Sequence, residues 1–383
     1  MEEIATAGGV LPFARFMEVA LYAPELGYYE RRTSPGRSGD FYTSVSVGPL
    51  FGELLAYQCS CWFDQLLAAN GDKVGERNGP LDLVEAGAHD GRLAADVLQW
   101  FERWRPDLAS RLRLWLVEPS ATRRARQAGT LGKWVSRADW VSRPAELTAR
   151  TGGGIRGVFY SNELLDAFPV HRLVWRRPPG RWEESGVGWA AGRFVWRPLP
   201  DALETAGAAD RRRLDGLPAS LREVLPDGQV LDVSPSAAAW WQEAAGSLRH
   251  GVLMTFDYGF DEEVPVRPGA SSGSLRAYAQ HRVLGDVLAD PGGQDLTADV
   301  DVAAVARAGE AAGLSTEWRG TQRAWLTALL GRTLPVAGTG FPEWDRGRVR
   351  QFQTLTHPEH LGRRFRVLVQ RRPPAVSGNA ACP

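Results

Sequence analysis

The sequence predicts an α/β protein built on a parallel sheet, and three observations support this fold class. The apolar run LDLVEA (81–86) is followed by a tight glycine turn and then by a helical stripe of Leu93, Val97, Phe101 and Trp104. A second apolar run (111–117) ends at the acidic residue Glu118. The same alternation of strand and helix continues toward GVFYSN (157–162). Strands that alternate with helices in this way assemble into a parallel sheet covered by helices.

The elements outside this core follow from the same periodicities. Residues 11–30 predict an amphipathic helix stopped near Pro24, and a second helix begins near Val47. A short strand is expected at 133–136 and a polar helix at 201–224. A further helix is capped by Thr297 or Asp299 and ended by Gly313. The stretches HRLVWRR, 182–189 and RFVWRP are short strands of alternating residue type, separated by Pro/Gly turns, and they predict an antiparallel insertion. The strands GVLMTFDYG (251–259) and FRVLVQRR (365–372) are expected to return to the main sheet.

These patterns divide the chain into three parts. Residues 1–79 form an N-terminal helical segment that includes a loop able to act as a lid. Residues 80–370 form the α/β domain, with insertions near 171–225 and 260–298. Residues 371–383 form a disordered tail, because RRPPAVSGNAACP lacks apolar periodicity.

Composition restricts the classes of function. The 383 residues are 44% hydrophobic and 23% charged, with a formal net charge of zero, so no general attraction to nucleic acid is expected. Three cysteines do not make a disulfide framework, and none has a metal-ligand partner at the required spacing, so we expect no metal site. Without a long apolar run or a signal-peptide core, we expect a cytoplasmic protein with no membrane insertion. The oligomeric state stays open.

The glycine turn indicates which nucleotide the sheet binds. Glu85, Gly87 and Gly91 fit an acid-x-G-x-x-x-G frame, whereas the dinucleotide pattern G-x-G-x-x-G fails because His and Arg occupy positions 89 and 92. The looser frame is typical of S-adenosylmethionine methyltransferases. Glu118, at the end of the next strand, lies at the ligand-binding edge of an open α/β sheet and can accept hydrogen bonds from two ribose hydroxyls. This spacing makes a nicotinamide oxidoreductase a distant alternative.

A third polar group follows the fourth parallel strand at the same edge. Asn162, Glu163 and Asp166 can accept a hydrogen bond from a nucleophilic nitrogen and hold it in line with a transferred methyl group. If a turn begins at Glu163, then Glu163 and Asp166 share a face. The alternative is a simple helix N-terminus, where acids are favoured by the dipole.

In these segments the chain resembles the MidA family of S-adenosylmethionine-dependent methyltransferases, which includes mitochondrial complex I assembly factors that methylate an arginine of a partner subunit. The resemblance runs from about Leu11 to about Gly331. It rests on the order in which these segments occur along the chain: FARFMEVALYAPELGYY, SGDFYTSVSVGPLFGELLA, EAGAHDGRLAADVL, VEPS, NELLDAFPVHRLVW, DYG, SGSLRAYAQHR with DLTADVD, and TQRAWL. It implies a Rossmann-like class I methyltransferase sheet, S-adenosyl-L-methionine as cofactor and a protein substrate.

The resemblance also implies roles for particular residues. One set forms the lid loop and the turn that hold the cofactor: Gly39, Asp40, Phe41, Thr43, Glu85, Gly87, Ala88, His89, Gly91 and Glu118. Asn162, Glu163 and Asp166 face the substrate and are the predicted catalytic residues. Family members commonly have glycine where this chain has His89, which we place beside the cofactor.

Three further residues are candidates for the substrate side. Arg276, Tyr278 and His281 fall within LRAYAQHR, where they can line the mouth of a substrate site. A lone histidine in a loop is also compatible with simple solvent exposure. The alternating tryptophans of the insertion are better explained by packing than by nucleic-acid stacking.

The sequence therefore predicts a methyltransferase that acts on an arginine nitrogen of a protein. Two alternatives stay open. The His89 substitution is compatible with a cofactor-binding assembly chaperone that does not turn over, and a narrow substrate mouth would favour a small-molecule methyltransferase.

Overall fold

The helices and strands of this protein fall into two compact units that each draw on several segments of the chain. The computed structural model describes residues 1–31, 43–69, 79–200, 205–262, 272–279, 282–334 and 340–372. The sheet unit comprises Thr43–Asn162, Trp240–Phe256 and the described residues from Ala306 onward. The insertion unit comprises the described residues of Met1–Tyr42, Glu163–Ala239 and Asp257–Val305. The domain boundaries expected at 79/80 and 370/371 stay predictions.

The elements are numbered in chain order. The strands are β1 (Val10–Pro12), β2 (Leu81–Ala86), β3 (Leu112–Val117), β4 (Ala138–Val141), β5 (Ile155–Asn162), β6 (His171–Arg176), β7 (Arg181–Ala190), β8 (Arg193–Pro198), β9 (Val230–Val233), β10 (Leu248–Phe260), β11 (Arg276–Ala279), β12 (Arg282–Leu284), β13 (Asp295–Thr297), β14 (Val300–Asp301), β15 (Ser315–Thr321) and β16 (Phe365–Arg372). The α-helices are α1 (Glu2–Thr6), α2 (Phe13–Tyr22), α3 (Tyr28–Arg31), α4 (Leu50–Ala69), α5 (Arg92–Trp104), α6 (Pro106–Ala109), α7 (Ala121–Leu131), α8 (Ala145–Thr151), α9 (Ala208–Asp215), α10 (Ala219–Val224), α11 (Pro235–Ser247), α12 (Val302–Ala311), α13 (Gln322–Thr333), α14 (Arg346–Thr356) and α15 (Leu361–Arg364). Short 3-10 helices span Val45–Val47, Gly132–Arg137 and Leu165–Ala167.

The sheet unit contains the predicted parallel sheet. Its strand order is β4-β3-β2-β5-β10-β16-β15, and β2 pairs in parallel with both β3 and β5. β15 and β16 pair antiparallel. Numbered along the chain, these seven strands read 3-2-1-4-5-7-6, which is the class I methyltransferase order. The Rossmann-like fold class is therefore confirmed. The order reverses between β2 and β5, and ligands of open α/β sheets bind beside that reversal.

The central strands β2 and β5 are buried, and Gly157 allows them to lie close together. Every residue of β2 is buried, as expected for a parallel strand covered on both faces. A side chain at Gly157 in β5 would place its Cβ 1.9 Å from the Asp82 carbonyl oxygen, so only glycine allows β5 to approach β2 there. α5 buries Leu93, Val97 and Phe101, three members of the predicted stripe.

The insertion unit contains antiparallel sheets, as the alternating pattern predicted. One has the order β1-β7-β6-β9, with β8 paired to β7. β11 pairs antiparallel with β12 and β13, and β14 pairs in parallel with the last residues of β10. Trp175 and Trp182 are buried in a core with Leu173, Leu214 and Leu231, which confirms packing as their role.

Several local predictions were wrong. Residues 132–137 form a 3-10 helix rather than a strand, with Lys133 and Trp134 bonded to Glu102, and the strand follows at 138–141. The N-terminal cap of α12 is Asp301, whose Oδ1 accepts the Ala304 N–H at 2.9 Å; Thr297 belongs to β13. The helix expected at 201–224 is interrupted at Pro218, giving α9 and α10, because proline interrupts helical hydrogen bonding.

The first two predicted helices have different bounds. α2 ends at Tyr22 and buries the predicted face of Phe13, Phe16, Met17, Ala20 and Leu21, while α3 is a separate short helix after Gly27. The second predicted helix begins at Leu50 rather than near Val47. Across the described ranges, no helix combines the length and apolarity that a bilayer span requires.

Candidate functional site

The glycine turn after β2 has the backbone that the acid-x-G-x-x-x-G frame predicts. Gly87 and Gly91 have φ values of 68° and 87°, in the left-handed region that favours glycine. The Gly91 N–H donates to the Ala88 carbonyl at 2.6 Å, and α5 begins at the next residue. A Cβ on Gly91 would also lie 3.2 Å from the Gln127 Cα, a tight contact, so packing adds to the conformational preference for glycine here.

His89 occupies the middle of this turn with its side chain toward solvent. Its φ is 47°, a left-handed value that is unfavourable for a residue with a Cβ. The His89 side chain is 77% exposed, and its Nδ1 lies 3.9 Å from the Asp90 carboxylate. Ala88, by contrast, is buried. The substitution therefore adds backbone strain to the turn, while the imidazole itself is mostly in solvent.

Glu118 follows β3 and is buried among polar partners. Its Oε1 accepts the Ser120 N–H at 2.9 Å, and its Oε2 accepts from Gln127 Nε2 at 3.3 Å. The Arg123 guanidinium lies 3.6 Å from Oε2. A carboxylate has about four lone-pair sites, so these contacts leave capacity for hydroxyl donors. The Glu118 side chain itself is only 1% exposed.

Gln127 connects the glycine turn with Glu118, and no sequence pattern singles it out. It is fully buried on α7 and donates both to the His89 carbonyl and to Glu118, each at 3.3 Å. Its Oε1 accepts from Trp140 Nε1 at 2.8 Å. Gln127 therefore holds the glycine turn and the Glu118 carboxylate in a fixed relation, although a single glutamine inside a helix carries no recognisable motif.

Glu85 lies at the reversal of strand order, inside the sheet. Burial raises the pKa of Glu85 to about 8, even though the Tyr160 hydroxyl donates to its Oε2 at 3.0 Å. Asp90 and Asp96 raise this pKa further. Glu85 is therefore protonated at neutral pH. We call Glu85, the Gly87–Gly91 turn and Glu118 together the glycine-turn edge.

The predicted lid loop is described only at its end. Gly39, Asp40 and Phe41 lie outside the described residues. Thr43 forms a local turn in which its hydroxyl accepts the Ser46 N–H at 3.1 Å. The next residue, Ser44, donates to the buried Gln322 Oε1 at 3.2 Å, and Gln322 donates to the Leu355 carbonyl at 3.0 Å. These bonds tie the end of the loop to α13, whose first residues belong to the TQRAWL segment.

The substrate-side acids occupy a sharp turn after β5, which we call the acidic turn (residues 163–166). Asn162 ends β5 opposite Phe256, and Glu163 has a φ of 53°. Asp166 lies in a single 3-10 turn and is 7% exposed. The simple helix N-terminus considered as the alternative is therefore absent from the described residues here. The short turn also means that Glu163 and Asp166 are not presented by an α-helical face.

Two further aspartates surround Asp166. Asp257, at the position of the predicted DYG segment, accepts the Leu164 and Leu165 N–H groups at 3.1 and 2.7 Å. Burial raises the pKa of Asp166 to about 7, and Asp299 raises it further. Arg276 donates to Asp299 at 2.7 Å, so this predicted residue is engaged in an ion pair. Tyr278 lies beside it on β11, whereas His281 lies outside the described residues.

The structure therefore groups the predicted residues into two sets. Thr43, the glycine-turn edge and Asn162 belong to the sheet unit, and Glu163, Asp166, Arg276 and Tyr278 belong to the insertion unit. The sequence reasoning missed Tyr160, Gln127, Asp257 and Asp299 as neighbours of these sites. For Asp257 a signal existed, because it is an acid near the end of a buried strand, as Glu118 is. The individual site roles stay predictions.

The chemistry of the glycine-turn edge suits an adenosyl cofactor. A carboxylate at the end of the second strand can accept ribose hydroxyls, and the turn exposes backbone at the start of α5. The edge has no G-x-G-x-x-G turn for a pyrophosphate. The donor set therefore fits a nucleoside that carries an amino acid better than it fits a dinucleotide.

Comparison with known proteins finds relatives that match this chain over nearly its full length. It is 28% identical to a rat protein named "Protein arginine methyltransferase NDUFAF7, mitochondrial", over 98% of this chain and 85% of the rat protein. The Drosophila melanogaster homologue of that name is 27% identical over 94% of this chain and 81% of its own length. A Burkholderia thailandensis protein, described as a "COG1565 superfamily member and likely methyl transferase", has a crystal structure with bound S-adenosylhomocysteine. It is 30% identical to this chain, with a TM-score of 0.76, and the match covers 97% of this chain and 90% of that protein.

These relatives overturn one prediction. We expected a cytoplasmic protein, but the relatives are named as mitochondrial proteins, so that expectation was wrong. The cysteine count that supported it argues only against an oxidising compartment, and it does not distinguish the cytoplasm from other reducing compartments.

A family model of S-adenosyl-L-methionine-dependent methyltransferases matches residues 58–319, which include the sheet core and the acidic turn. The cofactor predicted from the glycine turn is confirmed by this match and by the bound S-adenosylhomocysteine of the similar crystal structure. The protein is a methyltransferase that uses S-adenosyl-L-methionine. The chain belongs to this family, the MidA-like S-adenosyl-L-methionine-dependent methyltransferases.

Proposed function

We propose that this methyltransferase acts on an arginine nitrogen of a protein substrate. The observation that carries the proposal is a buried acid at the acidic turn, Asp166, whose pKa of about 7 suits a proton acceptor. The printed names of the rat and fly relatives, both protein arginine methyltransferases, support the same substrate class. An arginine side chain arrives positively charged, and carboxylates are the groups that bind a guanidinium directionally.

The proposed roles follow from chemistry at the guanidinium. S-adenosylmethionine supplies a methyl group bound to a positively charged sulfur. As a guanidinium nitrogen gains that methyl, it loses a proton, and Asp166 is the proposed acceptor. Glu163 supplies a second carboxylate for the guanidinium, and the Asn162 side chain orients the attacking nitrogen. Glu85, Gly87, Ala88, His89, Gly91 and Glu118, with Gly39, Asp40, Phe41 and Thr43, hold the cofactor in this proposal.

The pKa of Asp166 gives the direction of the pH dependence. Below about pH 7 the carboxyl is protonated and cannot accept a proton, and above that value it is ionised. We therefore expect kcat to rise with pH through about 7 until another group limits the rate. Burial is the main cause, so the effect depends on the folded acidic turn rather than on the aspartate alone.

Asp166→Asn tests the proposal most directly. Radiolabelled methyl transfer to proteins of a bacterial extract, followed by amino-acid analysis of the hydrolysate, should yield labelled methylarginine with the wild type. We expect the variant to lower the initial rate by about 10²- to 10⁴-fold, the usual contribution of a general base. Its affinity for S-adenosylhomocysteine, measured by calorimetry, should stay within about twofold, because a general base contributes to turnover rather than to cofactor binding.

Asp290→Asn is the matched control, because it removes the same charge from an exposed position of the insertion unit. Parallel collapse of cofactor affinity in Asp166→Asn would show that Asp166 does not belong to the substrate side. Label on another amino acid, or only on small molecules, would contradict the arginine substrate. Cofactor binding without any transfer would favour the assembly-chaperone alternative.

A further inference from the structure

We propose that Asp257 is a positioning residue for Asp166: it holds the acidic turn through two backbone bonds, and its own carboxyl stays protonated so that the negative charge lies on Asp166. This inference rests on the proposed function only for the role given to Asp166. The pairing of the two carboxyl groups is a property of the folded chain and can be measured without any substrate.

The first observation is the clamp on the turn. Asp257 directly follows Phe256 in β10 and is completely buried. Its Oδ2 accepts the N–H groups of Leu164 and Leu165, the two residues immediately before Asp166. The turn starts from the left-handed backbone of Glu163, a conformation that is unfavourable for a side-chain-bearing residue. Two bonds to one carboxyl oxygen stabilise this strained turn and thereby fix where Asp166 begins.

The second observation is the other oxygen of the same carboxyl group. Asp257 Oδ1 is buried and has no hydrogen-bond partner among the residues that the structure describes. The two donors on Oδ2 are uncharged amides, and within the described ranges no cationic side chain forms an ion pair with this carboxyl. A buried ionised carboxylate without a cation is strongly unfavourable. A proton on the Asp257 carboxyl removes that charge, which gives a physical reason why no cation is needed.

The third observation is the charge around the two acids. Among the neighbouring carboxyl groups, Asp166 raises the pKa of Asp257 most, and Glu163 raises it less. Around Asp166 lie Asp299 and its ion-pair partner Arg276, and the Asp166 charge also raises the pKa of the half-buried Tyr29 phenol. Burial and Asp166 hold the pKa of Asp257 well above its usual range, while that of Asp166 is about 7. Both carboxyls therefore hold a proton to higher pH than an exposed aspartate does, and the proposal assigns the more firmly held proton to Asp257, which has no cationic partner among the described residues.

This arrangement has a consequence for the proposed reaction. A pair with a single negative charge matches a single guanidinium without leaving a second ionised acid in the interior. When the substrate nitrogen loses its proton, Asp166 accepts it and both carboxyls are briefly neutral. Release of that proton to solvent restores the starting state. No step requires both buried acids to be ionised together, which like-charge repulsion disfavours.

Carboxyl carbon-13 NMR on aspartate-labelled full-length protein with S-adenosylhomocysteine tests the pairing. In the wild type we expect two aspartate carboxyls with midpoints above pH 6, each sensing the titration of the other. Asp166→Asn should lower the Asp257 midpoint by at least one pH unit. In Asp257→Asn, Asp166 should titrate in a single step. An Asp257 carboxyl that is already ionised at pH 6, or that ignores Asp166→Asn, would overturn the proposal.

Two substitutions at Asp257 separate the backbone clamp from the protonation of its carboxyl. Asp257→Asn keeps an oxygen for the Leu164 and Leu165 N–H groups, so we expect wild-type cofactor affinity but an altered pH profile of kcat. Asp257→Ala removes the clamp, and we expect at least a tenfold further loss of kcat. Identical pH profiles for the wild type and Asp257→Asn would reduce Asp257 to a structural role. If the alanine variant fails to fold, the NMR comparison still decides the proposal.

The outcomes also distinguish this inference from the proposed function. A coupled carboxyl pair in a protein that labels no arginine would contradict the substrate and leave the pairing in place. Arginine methylation by a protein whose two carboxyls titrate independently would contradict the pairing alone.

Discussion

Glu118 of the glycine-turn edge and Asp257 beside the acidic turn are both buried acids near the carboxyl end of a central strand, but their partners differ. Glu118 follows β3 and is surrounded by a guanidinium, a backbone amide and a glutamine amide. Asp257 follows Phe256 of β10, accepts only neutral amides and has a raised pKa. Glu118 thus has a cationic neighbour, and Asp257 has none among the described residues, which is why we propose different roles for the two acids.

This difference shows why residue type and position alone do not assign a role. Both acids have the same place in the sequence pattern, after an apolar strand. What separates them is the surroundings supplied by distant segments: α7 for Glu118 and the acidic turn for Asp257. A strand-end acid therefore predicts a functional edge, while its charge state follows only from the folded neighbours.

The largest expected effect is the loss of cofactor binding in Glu118→Ala. In the proposed cofactor site Glu118 accepts two ribose hydroxyls, and hydrogen bonds to charged groups contribute about 1.5–3 kcal/mol each. We expect S-adenosylhomocysteine affinity, measured by calorimetry, to fall at least about 100-fold, or about 2.7 kcal/mol. Glu118→Gln, which keeps an acceptor oxygen, should lose less.

Glu146→Ala serves as the control, because it removes a carboxylate from an exposed position on α8. Unchanged affinity in Glu118→Ala would remove this residue from the cofactor site. It would then leave Glu118 as a structural partner of Ser120, Gln127 and Arg123 only, and the comparison with Asp257 would lose its first member.

A second effect, on stability rather than on cofactor affinity, is expected at Glu85, whose burial resembles that of Asp257. Its folded pKa of about 8 is raised above the ordinary 4.5, so its contribution to stability is complete below about pH 4.5 and is lost as pH rises through 8. At about 1.4 kcal/mol per pH unit, the loss is at most about 5 kcal/mol. Glu85→Gln should therefore match the wild type at pH 5 and be more stable at pH 9.

Chemical denaturation of both proteins at pH 5, 7 and 9 measures this difference, with Glu146→Gln as an exposed control. The same pH slope for the wild type and Glu85→Gln would mean that Glu85 is ionised in the folded protein. In that case burial beside Tyr160 does not keep it neutral, and the contrast between the two regions would become weaker.

The smallest effect is expected at His89. Glycine relieves the left-handed backbone but adds freedom to the unfolded chain, so His89→Gly should change the free energy of unfolding by no more than about 1 kcal/mol. Because the imidazole is 77% exposed, cofactor affinity should change less than about threefold. Denaturation and calorimetry measure both quantities. A tenfold gain in affinity would show instead that His89 obstructs the cofactor, as the chaperone alternative requires.

Much of the fold was predictable because burial on both faces makes strands recognisable. The apolar runs at 81–86 and 365–372 match β2 and β16 in full. Caps and short helices were less predictable because they depend on tertiary partners. Asp301 caps α12 where Thr297 and Asp299 were equally good candidates in sequence, and Asp299 is instead bound to Arg276.

The candidate site likewise contains features that were predictable from the sequence and features that were not. The turn at Gly87 and Gly91 was predictable because left-handed backbone restricts the residue type. The partners of Glu118 and Asp166 were not, because Gln127 and Asp299 come from elements that sequence spacing does not bring together. His89 illustrates a third case: its position in the turn was evident, but the direction of its side chain was not.

The place of β16 in the sheet has a consequence for how the protein is made. This strand comes last in the described chain, yet it lies between β10 and β15 rather than at an edge. A ribosome delivers residues 43–162 long before residue 365, so the nascent sheet has an open side during much of synthesis. Non-local strand pairing of this kind slows folding and exposes unpaired strands to aggregation. We therefore expect the protein to bind its cofactor only after synthesis is complete. Chaperones that shield nascent strands should raise the yield of folded protein.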